Sequence, residues 1–309
     1  MAVGQKTNAY VGIGIQTTLG TTVTRTLFTD IVSENIVRTS TRPMSARLGS
    51  PSNRIHTETM RSSSGSIVVE GNYEGHESFY KAAFGQASVA TTGSNPYVNT
   101  FTLQKTMPTN GGLSLEINRD TIAFLYSDAK INTVEWSQDP DRYMVVTFGW
   151  MARTETQVTA TSPTFAAEYP IIGPQAAFTI DGLACTINNF KCKLDNKTAL
   201  RPQIGSLDVK DIIRVGVRDV TGSFEMDFAD LVQYNKFVSN QDVALVCTWT
   251  NSSRIYVLTM PRVHFTAGTP PTAGPGPYTV LFTFQALEQT RAAMDELKLT
   301  ITNSISSVA

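Results

Sequence analysis

Alternation of polar and apolar residues recurs along most of the chain. It is clearest in four segments, residues 66–70, 113–117, 129–136 and 143–150. Successive side chains of an extended strand point to opposite faces, so this alternation predicts strands that rest one face on a core. Asp139, Pro140 and Asp141 separate the last two segments and favour a turn. These two segments are therefore predicted to form an antiparallel hairpin.

Two short segments have a helical pattern instead. Residues 76–84 (HESFYKAAF) are followed by Gly85, a residue suited to the left-handed conformation that ends many helices. Residues 230–237 (DLVQYNKF) begin with Asp230, whose carboxylate suits an N-cap. Each predicted helix follows a strand that opens with Gly-Ser. Strands far outnumber helices, which predicts a mainly β protein.

Matching segments occur in the same order in both halves of the chain. They are Gly65-Ser66 with Gly222-Ser223, Arg42-Pro43 with Arg201-Pro202, and Thr147-Phe148 with Thr283-Phe284. The separation falls from 157 residues in the first pair (222 − 65) to 136 in the last (283 − 147). The second half therefore lacks about one hairpin, corresponding to residues 86–112. We interpret the pattern as an internal duplication.

The duplication predicts two tandem β-sandwich or half-barrel domains, each with one short helix. Residues 154–175 contain three prolines and show no periodicity, as linkers do. The predicted domains are residues 1–160, which include an N-terminal arm, and residues 161–309. A long loop over residues 39–64 carries Arg42, Arg47, Arg54 and Arg61 with little acid. Loops of this length within a compact domain usually have a function.

Composition narrows the possible functions. Charged residues form only 17% of the chain, and the formal net charge is −1. A protein that binds nucleic acid by sequence needs clustered Lys and Arg, and this chain has no basic excess. A net charge near zero favours self-association over repulsion. No apolar run approaches the roughly 20 residues that span a bilayer, so no membrane contact is expected.

The residues that catalysis or metal binding would need are sparse. The three histidines are far apart in the sequence, and His76 is expected at the surface of a helix start. Cys185 and Cys192 would lie on opposite faces of a strand, which argues against a shared metal site. No nucleophile, metal or phosphate-loop motif occurs. We expect no catalytic, metal or cofactor site, and we expect Trp136, Trp150 and Trp249 in the core.

The order of these features resembles one family. Residues 10–20 (YVGIGIQTTLG) lead into a strand at 31–36, an Arg/Ser-rich loop, the strand at 64–73 and a helix that ends at Phe84-Gly85. In this order the chain resembles the tail tube proteins of long-tailed, siphovirus-type bacteriophages. The likeness extends over essentially the whole chain, because the second half repeats it.

The resemblance implies a structural virion protein, made in the bacterial host cytoplasm, that assembles as rings stacked into a hollow tube. DNA would pass through the tube as non-specific cargo during ejection. Tape measure, terminator and distal tail proteins would be its partners. Two tube domains per chain favour a trimeric, pseudo-hexameric ring, with a hexamer as the alternative. Arg42, Arg47, Arg54 and Arg61 are candidate contacts to Glu74 or Asp230 of the next ring.

Two other classes stay open at this point. A β-sandwich that binds carbohydrate, or an adhesin-like module, would need exposed aromatic side chains on a concave face. Another phage component, such as a decoration protein or a tail terminator, would share the β-rich composition. The assembly state separates them, since only a tube protein forms an open-ended polymer.

Overall fold

The protein was analysed as a computed structural model, which describes residues 6–44, 56–86, 89–105, 107, 112–228, 230–270, 277–291 and 293–308. It is mainly β, and the four alternating segments of the sequence fall on four of its strands. The first half contains β1 (Ala9–Ile15), β2 (Leu27–Asp30), β3 (Ser33–Glu34), β4 (Val37–Thr41), β5 (Met60–Glu70), α1 (Glu77–Phe84), β6 (Ala90–Thr92), β7 (Tyr97–Thr102), β8 (Leu113–Arg119), β9 (Ala123–Gln138), β10 (Val145–Ala152) and β11 (Thr154–Val158).

The second half contains β12 (Ala176–Ile180), β13 (Leu183–Cys185), β14 (Asn189–Asp195), β15 (Thr198–Arg201), β16 (Asp211–Arg214), β17 (Asp219–Asp227), α2 (Val232–Val238), β18 (Val243–Asn251), β19 (Arg254–Ala267), β20 (Thr279–Ala286) and β21 (Lys298–Asn303). Single turns of 3-10 helix precede β1 and β12, at Lys6–Asn8 and Gly173–Gln175. The last strand of the first half ends at Val158 and the next begins at Ala176, on either side of the predicted boundary.

The four predicted strands, the hairpin and both helices are confirmed. β9 and β10 pair in antiparallel fashion around the predicted turn. Gly85 ends α1 with a φ of 78°, in the left-handed region that glycine adopts without strain. The N-cap of α2 is Leu231 and not Asp230. Asp230 lies one residue earlier, where its carboxylate accepts a hydrogen bond of 2.9 Å from the N–H of Val232.

The two ends of the predicted loop over residues 39–64 are in fact paired strands. β4 continues to Thr41 and β5 begins at Met60, and the two strands pair directly. Met44 and His56 form a further bridge beyond them. The polar Arg/Ser/Thr composition of both strands concealed their pairing, because neither shows apolar alternation there. The connection is thus residues 42–59, here called the arm.

The two halves contain the same nine elements in the same order. These are β1, β2, β4, β5, α1, β8, β9, β10 and β11 in the first half, matched by β12, β13, β14, β17, α2, β18, β19, β20 and β21 in the second. The antiparallel pairings match as well. In the first half β1 pairs with β2 and β8, β9 pairs with β8, β10 and β11, and β5 pairs with β4 and β10. In the second half β12 pairs with β13 and β18, β19 pairs with β18, β20 and β21, and β17 pairs with β14 and β20. The hairpin of β6 and β7 lies within residues 86–112, between α1 and β8, and no strand lies between α2 and β18.

The register of the strand pairs also repeats. The pairing register shifts within β8–β9 and within β9–β10 in the first half. It shifts at the equivalent places within β18–β19 and β19–β20 in the second half. With this register Trp150 corresponds to Phe284, a separation of 134 residues (284 − 150). The two Thr-Phe segments of the sequence gave a separation of 136 residues. A slip of two residues keeps every side chain on its face, so alternation alone cannot detect it.

One sheet continues through both halves. β9 pairs with β14, so the strand order runs β4–β5–β10–β9–β14–β17–β20–β19. Near the C-terminus, β21 crosses back to pair with β7 of the first half. A single hydrophobic core accordingly includes residues of both halves.

Aromatic side chains fill the core where the halves meet. Tyr80 of α1 packs against Trp136, Phe148 and Tyr256. The indole N–H of Trp136 donates a hydrogen bond of 2.7 Å to the hydroxyl of Tyr256, across the two halves. All three tryptophans are at most 1% exposed, as predicted. They therefore offer no exposed aromatic platform of the kind that a glycan-binding module needs.

Candidate assembly surfaces

The described ends of the arm, residues 42–44 and 56–59, lie at the first residues of the long strand β5. Arg42 at its base is exposed, and its Nε donates to the Ser40 hydroxyl at 3.2 Å. Arg47 and Arg54 lie outside the described residues. Over residues 42–59 the sequence contains three arginines and a single carboxylate, that of Glu58. The sequence of the arm is therefore net positive, and the end of the molecule where β5 begins is here called the arm end.

Arg61 is already paired within the chain. Its Nε lies 2.5 Å from Oδ1 of Asp208, and its backbone N–H donates to the carbonyl of Leu207 at 2.8 Å. Asp208 belongs to the β15–β16 connection, which occupies in the second half the place that the arm occupies in the first. Arg61 thus ties the beginning of β5 to the β15–β16 connection at the arm end.

Glu74 is buried, with 4% of its surface exposed. Arg254 donates to one of its oxygens at 3.0 Å, and the hydroxyl of Ser304 donates to the other at 3.0 Å. The guanidinium of Arg254 also covers the ring of Tyr169. Glu74 therefore joins three parts of the chain, and its carboxylate already has its full set of partners.

A groove of about 520 Å³ lies at the opposite end of β5, here called the groove end. Asp30, Glu70 and Glu168 line it, and none has an ion-pair partner among the described residues. Partial burial raises the pKa of Asp30 above its usual range, and the nearby Glu168 carboxylate adds to the effect. Two mutually repelling carboxylates at a groove favour an incoming cation.

The sequence did not reveal this acidic groove. Asp30 and Glu168 are far apart along the chain, and the bridge between Phe28 and Phe165 brings their segments together. His76 lies at the base of the groove and is 4% exposed, so its predicted surface position is wrong. Its Nε2 lies 3.1 Å from the Thr29 hydroxyl, and burial lowers the pKa of the ring to about 4. At neutral pH this histidine is uncharged and adds no positive charge to the groove.

Asp230 lies at the groove end as well. β5 and β17 are separated by β10, β9 and β14, all antiparallel neighbours, so β5 and β17 run in the same direction. Asp230 follows β17 as Gly71 to Glu74 follow β5, and its side chain is exposed. The groove end therefore carries carboxylates in both halves, whereas the arm end carries arginines.

The face of the continuous sheet that points away from the core is polar. The side chains that alternate with core residues on its central strands are mostly Ser, Thr and carboxylates. The charged ones on β5, β9, β14 and β17 are Glu70, Glu135, Lys191, Lys193, Asp195, Asp219, Glu225 and Asp227. Carboxylates thus outnumber lysines on this face, which would repel phosphate groups.

In the part of the chain that the structure describes, no group of three or more His, Cys, Asp or Glu side chains could hold a metal ion. Among the same residues, no helix is long and apolar enough to cross a membrane.

Comparison with known proteins identifies the family. A family model described as phage tail tube protein matches residues 6–286, nearly the whole chain. No curated protein sequence matches this chain. The match covers the first half from residue 6, including the arm and the acidic groove, and the second half through the end of β20. The chain belongs to the phage tail tube protein family and is a structural component of the virion tail.

Proposed function

We propose that three copies of this chain close into a ring, and that such rings stack into the hollow tube of a siphovirus-type tail. The observation that carries this proposal is the repeat of nine elements with the same pairings, register and irregularities. An internal duplication accounts for it most simply. Each chain then supplies two tube units, and three chains supply six. A ring of six two-unit chains is the alternative.

The polar sheet face is proposed to line the channel. DNA would pass along it as non-specific cargo, and a lining in which carboxylates outnumber lysines would not hold the phosphates. Hydroxyl side chains such as Thr147 and Ser223 keep the surface hydrated without charge. The role is mechanical and non-catalytic, and it needs no cofactor. Tape measure, terminator and distal tail proteins are proposed as the other partners within the tail.

Stacking is proposed to place the arm end of one ring on the groove end of the next. β5 has 11 residues, so its two ends lie roughly 33 Å apart on opposite sides of the ring. Arg42, Arg47 and Arg54 would then meet Asp30 and Glu168 of the adjacent ring. Asp230 would receive the equivalent connection of the second half. Glu74 and Arg61 have partners within the chain and would contribute less.

A charge exchange tests the stacking. Reversing Arg42, Arg47 and Arg54 to Glu should leave soluble rings that do not form tubes in negative-stain electron microscopy. The matched control changes the same arginines to Lys, which keeps the charge and should keep the tubes. Adding Asp30→Lys and Glu168→Lys to the reversed arm should restore tubes. Stacking should also weaken as salt is added, because exposed charges are screened. Tubes of normal length from the reversed arm would refute this contact.

A further inference from the structure

The acidic groove combines the carboxylates of Asp30, Glu70 and Glu168 with an apolar lining. That lining consists of Phe28, Ile31, Val32, Tyr143, Phe165 and Pro170. Two of its aromatic rings are left largely in contact with water, since Tyr143 is 48% exposed and Phe165 is 43% exposed. Pockets for small molecules have this composition, with apolar walls and a few polar groups that orient the ligand. The groove therefore suits a ligand that has both positive charge and apolar surface.

A buried histidine adds an unpaired hydrogen-bond acceptor to the groove. The Thr29 hydroxyl donates its hydrogen to the carbonyl of Asp30 at 3.3 Å, so it accepts a hydrogen bond of 3.1 Å from Nε2 of His76. A neutral imidazole carries a single N–H, which leaves Nδ1 of His76 as an acceptor. This atom is buried and has no partner among the described residues. A buried acceptor without a partner is costly, so an N–H group bound in the groove would stabilise it.

The size and chemistry of the groove favour an organic cation over a metal ion. Its volume of about 520 Å³ is in the range of pockets that hold small organic molecules. A metal ion needs several ligands that converge on one point, and the described residues contain no such group of His, Cys, Asp or Glu. The methylene chain of an alkylamine can instead lie along the aromatic rings while its ammonium groups donate to the carboxylates.

We propose that the acidic groove binds a linear aliphatic diammonium or polyammonium ion. One ammonium group is assigned to Asp30 and Glu168, which lie close enough for the charge of Glu168 to raise the pKa of Asp30. A bound cation cancels this repulsion. A second ammonium group is assigned to Glu70, and the methylene chain between the two groups covers Phe165. Nδ1 of His76 accepts a further N–H of the ligand.

Occupancy of the groove has a consequence for assembly. The proposed stacking places the arm of the adjacent ring against Asp30 and Glu168, so a bound polyammonium ion competes with the arm for the same carboxylates. This consequence rests on the proposed function, whereas binding of the ligand to the unassembled chain does not. The ligand therefore regulates stacking by filling the groove before the next ring arrives.

Isothermal titration calorimetry of the unassembled full chain with 1,4-diaminobutane, at constant ionic strength, tests the site. The variant Asp30→Asn with Glu168→Gln should bind about tenfold more weakly or worse, because charge-assisted contacts are lost. Both residues are exposed, so this variant should fold normally. The matched control, Asp139→Asn with Asp141→Asn, removes two carboxylates from the β9–β10 turn outside the groove and should keep the affinity. Mg²⁺, which has the same charge and no methylene chain, should bind more weakly.

Undetectable binding, equal weakening in both variants, or equal affinity for Mg²⁺ would overturn the site. Electron microscopy of tubes assembled with and without 1,4-diaminobutane tests the competition, and the ligand should shorten the tubes. Tubes of unchanged length at saturating ligand would overturn the competition while the calorimetry still supports the site. Absence of tubes from the unsubstituted chain without ligand would overturn the proposed function instead.

Discussion

At the scale of single residues, one glycine position, filled by Gly65 in the first half and Gly222 in the second, explains why the repeat can be seen in the sequence. A Cβ on Gly65 would lie 3.0 Å from the carbonyl oxygen of Asn35, and a Cβ on Gly222 would lie 2.3 Å from that of Lys191. Asn35 and Lys191 occupy equivalent positions on the neighbouring strands. Both glycines therefore permit the same close approach of backbone to backbone. The Gly-Ser pair lies inside β5 and β17, not at their beginnings, and its glycine is a packing requirement at that position.

Replacing Gly222 by Ala should be costly. The added methyl would meet the Lys191 carbonyl and the Phe284 ring, which lies 2.4 Å away. Overpacking of this kind typically costs about 2–3 kcal/mol of unfolding free energy. Gly216→Ala is the control, because the nearest atom there is a flexible lysine side chain at 3.3 Å. Urea unfolding of the unassembled chain measures both. Equal stability of the two variants would contradict this account of the repeat.

Glu77 should make stability depend on pH. It is buried at the start of α1, and its oxygens accept hydrogen bonds from the Gly75 N–H at 2.9 Å and the Asn303 amide at 2.5 Å. Burial nevertheless raises its pKa to about 7, and the carboxylate of Glu74 adds to this; adjacent His76 is neutral. The folded state then holds a proton that the unfolded chain loses near pH 4.5. This group therefore destabilises the fold progressively as pH rises from about 4.5 to 7.

The variant Glu77→Gln lacks this titration. Its stability relative to the unsubstituted chain should increase by on the order of 2 kcal/mol between those two pH values. Urea unfolding of both chains over pH 4.5 to 8 measures the difference, and their shared His76 contribution cancels. A difference that stays constant over this range would contradict the raised pKa of Glu77.

At the scale of elements, buried polar contacts hold the two halves in one arrangement. Lys130 of β9 lies 2.9 Å from Asp211 of β16, and both side chains are less than a tenth exposed. Lys130 also donates to the carbonyl of Ile212 at 2.7 Å. Together with the β9–β14 pair, this contact fixes the second half against the first. The predicted domains of residues 1–160 and 161–309 should therefore unfold together.

Removing one member of this pair tests its contribution. Lys130→Met leaves the Asp211 carboxylate buried without a countercharge, although the Ile212 N–H still donates to it at 2.6 Å, and the loss of one member of a buried pair costs about 3–5 kcal/mol. The double variant Lys130→Met with Asp211→Leu should recover most of it, because no charge is then left buried. Arg142→Met is the matched control in an exposed pair, where little change is expected. Calorimetry should show one transition throughout; two separate transitions would indicate halves that fold independently.

The sequence predicted the strands and helices with apolar periodicity, but not the contacts between distant segments. β9 and β10 were predictable because alternation and a proline turn agree. The pairing of β4 with β5 was not predictable, since both strands are polar where they pair. The acidic groove was also missed, because Asp30 and Glu168 meet only through folding. Glu74 was predicted as a contact to the next ring, and its contact with Arg254, 180 residues away in the same chain, was not foreseen.

At the scale of the whole molecule, the two kinds of surface differ in chemistry. The sequence of the arm is basic, whereas Asp30, Glu70 and Glu168 line the groove, which suits the proposed head-to-tail stacking of rings. On this proposal, added salt should separate stacked rings, because exposed charges are screened.

The most direct test of the central claim is a cryo-electron microscopy reconstruction of tubes formed by this protein. We predict a hollow tube whose rings contain three chains and have a pseudo-sixfold outline. The arm should reach the groove of the next ring, and the Glu135 face should line the channel. A ring of six chains with the second half on the outside would contradict the three-chain ring. A non-tubular assembly would contradict the proposed function as a whole.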